Sequence, residues 1–392
     1  MKRTIVFLKY TPLTKKTYED CCMESLIKGG YSVEYWDITS LYKFTLGSFE
    51  YLKVDKVLIR TIRSYDELTS LAKQKVNTLY ISLMTPGLNQ VRLLNTIAVN
   101  NSIISFWGPD PIFYKKNAAT KRIKRITIGK IVWMFKHYFC RLFFRYMITR
   151  NYDYYFKVGN KGYQSLGSLD EKTKRAIKPL LVNSFDYDRY KYNNSNTTCS
   201  SEKIAVFIDQ YYPFHPDMTI TGTPHIPSEP YYRQLNTTFN IIEKELGVKI
   251  LIAAHPKSLK YKFTNFFNGR KVYMGMTADL IKNASYVIIH DSTALSFAIM
   301  NYKPVIALTS SLIKKYYPDN YNNCVNLSEQ FGFTLINMDN IKSIKSFLQH
   351  NLNLLEEQIN KYNSYIYNYC TSPQLHKSNK VLIIEYLKKI YN

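Results

Sequence analysis

"TIVFLKY", residues 4–10, is a short apolar run of the kind that forms a buried β-strand. A helix-like stretch follows it and stops at Gly29-Gly30, and "YSVEYWDI" at 31–38 supplies the next apolar run. Strand, helix, glycine stop and strand are the order of a βαβ unit, in which the two strands run parallel. This opening predicts a Rossmann-like domain.

The same alternation continues along the chain in two series. The first series contains "KVLIRTI" (56–62), "NTLYISLM" (77–84), "SIISFWG" (102–108) and, as its predicted last strand, "DYYFKVGN" (153–160). After a Pro- and Asn-marked connector at 177–203, which ends in the polar run 193–203, the second series contains "IAVFIDQ" (204–210), "VKILIAAHP" (248–256), "KVYMG" (271–275), "SYVIIHD" (285–291) and "KPVIALT" (303–309). The 392 residues are long enough for two domains. We therefore expect an α/β chain with two Rossmann-like domains of GT-B type facing across a cleft: an acceptor domain at 1–190 and a nucleotide-sugar donor domain at 200–392.

A basic segment at 115–150 interrupts the first series. From Pro111 to Tyr152 the sequence contains eleven Lys or Arg and neither Asp nor Glu. Its apolar second part is broken by charges, and His137, Arg141 and Arg145, spaced four apart, share one helix face. Such a row of charges excludes a helix that spans the membrane and favours an amphipathic helix at an anionic membrane surface. A helix that packs on its own domain and exposes a basic face to solvent is the alternative.

The overall composition indicates the cellular compartment of the protein and the classes of partner that it can bind. A formal net charge of +24 attracts nucleic acids, anionic membranes and phosphorylated small molecules. No basic-aromatic motif of a known nucleic-acid fold is present, so a nucleic-acid partner is not expected. Six cysteines without any C-x-x-C pair are typical of a reduced cytoplasmic chain, and the first apolar run is broken by Lys9, unlike a signal peptide. We expect a cytoplasmic protein, peripheral at the inner membrane.

Polar residues follow three strands of the second series at their carboxyl ends, where open parallel sheets bind ligands. Asp209 follows "AVFI", His255 follows "LIAA", and Ser292-Thr293 come just after "YVIIHD" and before a helix. We expect His255 and the Ser292-Thr293 pair on one rim, from neighbouring strands. An imidazole, the cation of Lys257 and a helix start are suited to a phosphate, although a hydroxyl that caps its own helix and a structural histidine are the simpler alternatives.

The segments "ILIAAHPKS" and "MTADLIKNASYVIIHDSTALSFAIMNYKPVIAL" resemble the C-terminal domain of bacterial GT-B transferases that use CMP-activated acidic sugars. These families include bacterial sialyltransferases, polysialyltransferases and capsule Kdo transferases. The resemblance covers about residues 200–310 and implies that His255 and Pro256 contact the donor phosphate. It also implies that Ser292 and Thr293 bind the same phosphate.

The catalytic base of those families comes from an acidic D/E-D/E-G motif, which this sequence lacks. Asp209 in "FIDQYYP" is the nearest match and is our predicted base, while His215 and Asp217 in "FHPD" are further candidates. The "DYD" at 186–188 has the D-x-D pattern of metal-bound nucleotide sites, but it lies in the connector, where a chance match is favoured. No zinc-type Cys/His spacing is present, so we expect neither a metal nor a cofactor.

Together these features predict a glycosyltransferase of bacterial surface polysaccharide synthesis, inverting and metal-independent. The donor is expected to be a CMP-linked nonulosonic or Kdo-like sugar, with donor contacts from His255, Pro256, Lys257, Ser292 and Thr293. The acceptor is expected to be a lipid-linked or lipopolysaccharide glycan. Two alternatives are a GT-B transferase with a nucleotide-diphosphate sugar and a non-catalytic basic protein that binds membranes or nucleic acid.

Overall fold

The computed structural model describes residues 3–42, 52–108, 128–146, 148–167, 169–192, 202–216, 218, 222–349 and 352–391. These residues form two compact units. The first contains the described residues up to Asp188 together with Tyr367 onwards, and the second runs from Arg189 to Ile366. Each unit is built around one parallel sheet, so the predicted α/β class with two Rossmann-like domains is confirmed.

The first unit holds a seven-stranded sheet in the order β3-β2-β1-β4-β5-β6-β7. Its strands are β1 Thr4–Lys9, β2 Ser32–Asp37, β3 Val57–Thr61, β4 Leu79–Ser82, β5 Ile103–Phe106, β6 Tyr154–Val158 and β7 Lys178–Val182. Its helices are Lys15–Asp20, Met23–Lys28, Tyr65–Lys73, Val91–Ile97, Ile128–Arg145, Glu171–Ala176 and Asn379–Tyr391, with Phe185–Tyr192 at the boundary between the units. β1 pairs in parallel with β2 and with β4, so Ile5 lies opposite both Val33 and Leu79. These central strands are buried because they are covered on both faces.

The predicted last strand of the first series, "DYYFKVGN", is followed by one more strand. The sequence pattern places β7 in the connector, because Pro179 has no backbone N–H to donate to a neighbouring strand. The structure accommodates this proline because β7 pairs only with β6 and lies at the edge of the sheet.

The second unit holds a six-stranded sheet in the order β10-β9-β8-β11-β12-β13. Its strands are β8 Ile204–Ile208, β9 Lys249–Ala254, β10 Val272–Met274, β11 Tyr286–Ile289, β12 Val305–Thr309 and β13 Thr334–Asn337. Its helices are Ser228–Leu246, Thr277–Asn283, Leu295–Met300, Ser311–Tyr316, Pro318–Phe331, Ile341–Gln349 and Glu356–Tyr365. β8 pairs in parallel with β9 and with β11. The aromatic core of the second unit includes Phe207 and Phe239, whose rings meet edge to face with their centroids 5.0 Å apart.

The C-terminal segment belongs to the first unit, although the sequence analysis placed all of 200–392 in the second domain. Ile383 and Leu387 of the last helix are buried in the same core as Ile5. Two buried amides fix the segment, since Asn183 N–H donates to Asn379 Oδ1 at 2.9 Å and Asn379 Nδ2 donates to the Asn183 carbonyl at 3.0 Å. Such a return of the chain has no periodic signature in the sequence, because it depends on two amides 196 residues apart.

Candidate functional site

The candidate site lies at the carboxyl edge of the second sheet, where the order of the strands reverses. β8 is the central strand, β9 lies on one side of it and β11 on the other. Asp209, His255 and His290 directly follow these three strands. Open α/β sheets bind ligands at this topological switch point. The prediction that His255 and Ser292 come from neighbouring strands is wrong, because β8 lies between β9 and β11 and places Asp209 between them.

The segment His255-Pro256-Lys257-Ser258 forms a tight turn that presents the imidazole. Ser258, with 0% of its surface exposed, donates to the His255 carbonyl twice, from N–H at 2.9 Å and from Oγ at 2.5 Å. The Lys257 N–H donates to His255 Nδ1 at 3.2 Å, so the neutral ring carries its proton on Nε2. The side chains of Pro256 and Lys257 are exposed. The turn therefore offers a half-buried N–H donor beside a solvated cation.

Asp209 organises this turn from the adjacent strand. Its carboxylate is 2% exposed and accepts a hydrogen bond from the Tyr261 hydroxyl at 2.8 Å, three residues beyond the turn. Burial disfavours the charged carboxylate and raises the pKa of Asp209 to about 6, while the Tyr261 hydroxyl and the nearby backbone N–H groups of Tyr211, His255 and Gln210 act in the opposite direction. Among the described residues, Asp209 Oδ1 has no hydrogen-bond partner. Asp209 is thus an internal anchor that interacts with both ends of the segment 255–261.

A second imidazole lies against the first. The rings of His215 and His255 have their centroids 4.7 Å apart and are tilted by 59°. His215 reaches this position because the chain turns sharply after β8, with Tyr211 in the left-handed backbone region at φ 54°. His215 was one of the further candidates for the base, and Asp217, the other one, lies outside the described residues.

The residues that follow β11 differ in exposure, since His290 is buried and Thr293 is exposed. His290 is buried, with Nδ1 2.7 Å from the Leu308 carbonyl and Nε2 3.0 Å from the Tyr231 hydroxyl, and burial lowers its pKa to about 4. Ser292 Oγ accepts the Ala294 N–H at 3.3 Å, but the N-cap of the following helix is Ala294 itself, so the hydroxyl of Ser292 does not cap the helix as the simpler alternative proposed. Thr293 is exposed. The helix that follows, Leu295–Met300, is fully buried.

Asp209 and His290 have opposite effects on the pH dependence of stability. Their ordinary pKa values are 3.8 and 6.5, which we take for the unfolded chain. The raised pKa of Asp209 means that the folded state gains about 1 kcal/mol between pH 7 and pH 5, and the lowered pKa of His290 means that it loses about 2 kcal/mol. In the wild type these contributions largely cancel.

We therefore expect Asp209→Asn to lose about 1 kcal/mol more stability than the wild type between pH 7 and pH 5, because only the His290 contribution remains. His290→Gln should lose about 2 kcal/mol less than the wild type over the same interval. Urea unfolding of the three proteins at both pH values measures this. The same pH dependence in all three would show that neither group titrates as its burial implies.

The "DYD" motif at 186–188 has a structural role in this chain. Asp188 of the "DYD" accepts the backbone N–H of Asn379 at 2.6 Å and so helps to fix the C-terminal segment. In the part of the chain that the structure describes, no three His, Cys, Asp or Glu side chains cluster as metal ligands. The described cysteines are all buried and form no disulfide with one another: Cys21, Cys22, Cys140, Cys324 and Cys370.

Comparison with known proteins identifies the fold but no family. No protein-family model matches the chain, and no curated protein matches its sequence. Solved structures do match over its whole length. UDP-GlcNAc 2-epimerase from Methanocaldococcus jannaschii matches with a TM-score of 0.50 and 12% identity over 99% of this chain and all of the other.

Two further structures show the same likeness. The wall teichoic acid polymerase TagF, as its H548A variant, matches with a TM-score of 0.52 and 15% identity over 99% of this chain and 89% of the other. LpCGTa in complex with UDP matches with a TM-score of 0.54 and 8% identity over the full length of both chains. At these identities the likeness concerns the fold, and it supports the two-domain GT-B architecture predicted from the sequence.

Proposed function

We propose that the chain is a glycosyltransferase that binds a nucleotide-activated sugar at the carboxyl edge of its second sheet. The observation that carries the proposal is the His255–Ser258 turn, which Ser258 closes and which lies beside the buried Asp209 at the switch point of a Rossmann-like sheet. This turn directs an N–H donor and the cation of Lys257 to the place where such sheets bind phosphates. The teichoic acid polymerase TagF, which has the same fold, adds support for polymer synthesis as the setting.

In the proposed reaction an acceptor hydroxyl attacks the anomeric carbon of the donor sugar. The bond from that carbon to the phosphate oxygen breaks, the nucleotide leaves with the electron pair, and the proton of the acceptor hydroxyl is released to solvent water. His255 Nε2–H, the ammonium of Lys257 and the hydroxyls of Ser292 and Thr293 stabilise the charge that develops on the leaving phosphate, while Pro256 holds the turn. Inversion at the anomeric carbon and independence of metal ions remain predictions from the sequence.

The role that we propose for Asp209 is positioning rather than proton transfer. A general base has to reach the acceptor hydroxyl directly or through one water. The Asp209 carboxylate is 2% exposed and already accepts from Tyr261, whereas its interactions with the backbone of His255 link it to the donor turn. The sequence prediction of Asp209 as the base is the competing role, and the donor affinity of Asp209→Asn distinguishes the two roles.

A nucleoside diphosphate is our first choice for the leaving group. LpCGTa of the same fold is complexed with UDP, and the epimerase of the same fold is named for a UDP-sugar. These names support the alternative donor of the sequence analysis more than the CMP donor. CMP remains the second candidate because the His255-Pro256 pair and Ser292-Thr293 resemble the CMP-dependent transferases.

A mass-spectrometric screen tests the proposal. The full chain is incubated with UDP-, TDP- and CMP-linked sugars, with and without lipid-linked glycan acceptors, and the released nucleotide and extended acceptor are measured. We expect one nucleotide class to be released in step with acceptor extension. Release of UMP and a sugar phosphate, epimerisation of the donor without transfer, or tight binding of random DNA with no turnover would each contradict the proposal.

We also propose that the protein works at the cytoplasmic face of the inner membrane, on a lipid-linked acceptor. Within the described residues, no helix combines the length and the apolar character needed to cross a bilayer. The helix Ile128–Arg145 exposes large apolar side chains to solvent, with Phe135 and Tyr138 both 59% exposed. The exposed Arg141 and Arg145 lie on the same helix. Exposed aromatic side chains beside arginines are suited to an anionic lipid surface.

Replacing both Arg141 and Arg145 by Gln is expected to weaken binding to anionic vesicles by about 2 kcal/mol, roughly 30-fold, at about 1 kcal/mol per charge. Added salt should weaken the wild type in the same way. Co-sedimentation with phosphatidylserine vesicles measures the effect, and Lys53→Gln/Lys56→Gln, with the same loss of charge on the same unit, is the control. Equal losses in both double variants would mean that net charge, rather than this helix, drives binding.

A further inference from the structure

The first unit has its own pocket at the corresponding place in its sheet. The strand order reverses between β1 and β4, and Tyr10 and Gly87 follow these two strands. Together with Tyr42, Gln90, Lys136 and His137 they surround a pocket of about 260 Å³. Because the pockets that bind drug-sized ligands have volumes of about 300–1,000 Å³, this smaller pocket suits one sugar unit rather than an oligosaccharide. All the residues that line the pocket belong to the first unit.

The floor of the pocket is built from buried polar groups. Gln90 is 4% exposed, and its carboxamide is held on both sides, since Oε1 accepts from the Tyr152 hydroxyl at 2.8 Å and Nε2 donates to the Thr85 carbonyl at 2.6 Å. These bonds fix the segment 85–90 that follows β4. The pocket is therefore shaped before any ligand arrives, which lowers the entropy cost of binding.

The walls combine aromatic rings with positive charge. The rings of Tyr10 and Tyr42 meet edge to face at 6.4 Å, and Tyr10 is 40% exposed, so an apolar ring surface is open to a ligand. Lys136 and His137 reach the pocket from the helix Ile128–Arg145. Among the described residues that line the pocket, none is Asp or Glu. An aromatic surface suits the face of a sugar ring, and an unopposed lysine suits an anion.

We propose that this pocket binds a sugar that carries an anionic group, phosphate or carboxylate, as the recognised end of the acceptor. The ring lies against Tyr10 and Tyr42, and the anion pairs with Lys136. This inference rests on the proposed function, since it assigns the acceptor chemistry of the same enzyme. The exposed aromatic residues Phe135 and Tyr138 are on the helix that carries Lys136, so an acceptor attached to the membrane surface meets the pocket at that helix.

A side chain introduced at position 87 in place of Gly87 would fill the pocket without distorting the backbone. Its conformation is extended, with φ −165° and ψ 169°, which any residue adopts. An added Cβ would have only the Thr85 carbonyl oxygen near it, at 3.9 Å. Gly87→Phe therefore inserts a large ring at the pocket wall, and Gly87→Ala is the matched variant that leaves the pocket open.

The test measures binding of glucose 1-phosphate, glucuronate and neutral glucose to the full chain by calorimetry and ligand-observed NMR. We expect both anionic sugars to bind at least about tenfold more tightly than glucose, as one charge-assisted hydrogen bond allows. Lys136→Gln should weaken the anionic sugars about tenfold and leave glucose unchanged. Gly87→Phe should abolish binding of all three, whereas Gly87→Ala and Lys53→Gln keep wild-type affinities. Preference between the first two sugars identifies the anion as phosphate or carboxylate.

Two results would overturn the proposal: glucose that binds as tightly as the anionic sugars, or anionic sugars whose affinity is unchanged in both Lys136→Gln and Gly87→Phe. The proposed function fails differently, through absence of nucleotide binding in the wild type. Nucleotide affinity measured on the same samples is expected to be the same in Lys136→Gln as in the wild type. His255→Ala should leave sugar binding at this pocket unchanged.

Discussion

His255→Ala is expected to lower transferase turnover by about a hundredfold or more. The side chain removed carries the Nε2–H that we propose stabilises the donor phosphate, and groups that stabilise a leaving oxyanion contribute of this order. The fold should survive, because the turn is held by the His255 carbonyl and by Ser258 rather than by the imidazole. Initial rates of nucleotide release, measured at saturating donor, give the effect.

His376→Ala serves as the control, because it removes an exposed imidazole from the first unit. Its turnover should equal that of the wild type. A folded His255→Ala protein with wild-type turnover would exclude the imidazole from the reaction. A variant with unchanged turnover but weaker donor binding would assign His255 to ground-state recognition only and would equally contradict its role in stabilising the leaving group.

Asp209→Asn is expected to reduce kcat/KM by roughly a hundredfold, with the loss shared between weaker donor binding and slower turnover. The amide keeps the size of the side chain and can still accept from Tyr261. Its NH₂ group, however, cannot accept from the backbone N–H groups that now point toward the carboxylate. The 255–261 segment should shift, and displacements of about 1 Å at a donor site cost on the order of a hundredfold.

The competing role of Asp209 as general base predicts a different division of the loss. Donor affinity, measured by calorimetry with the nucleotide, would then be unchanged while turnover alone falls steeply. That result would contradict the positioning role and support the original sequence prediction. Tyr261→Phe provides an independent control, because it removes the hydroxyl that donates to Asp209 while keeping the ring in the aromatic core. It should reproduce part of the Asp209→Asn effect on donor affinity.

The positions of the strands were predictable because hydrophobic runs and glycine stops are local features. Each apolar run proposed from the sequence contains a strand of the structure, from Thr4–Lys9 to Val305–Thr309. β7 was missed because Pro179 is normally a signal against a strand, and only the position of β7 at the edge makes it permissible. The return of Tyr367–Asn392 to the first unit was missed because it depends on distant buried amides.

The candidate site was predictable in part. The occurrence of Asp209, His255 and Ser292 at strand ends follows from the local pattern, but the order of the strands does not. Burial was the main property that the pattern could not supply: a lone aspartate after a strand gives no sign that Tyr261 will cover it. The contact between His215 and His255 was also not visible, because it depends on a sharp turn at a residue other than glycine, Tyr211.

Hydrogen–deuterium exchange of the full chain, with and without UDP or CMP, tests the central claim most directly. If the nucleotide binds at the carboxyl edge of the second sheet, one of the two nucleotides should slow exchange in peptides that contain 209–216, 255–261 and 290–296. Peptides of the first-unit pocket, 84–90 and 136–140, should be unaffected by the nucleotide. Protection confined to the first unit, or no protection by either nucleotide at millimolar concentration, would contradict the account.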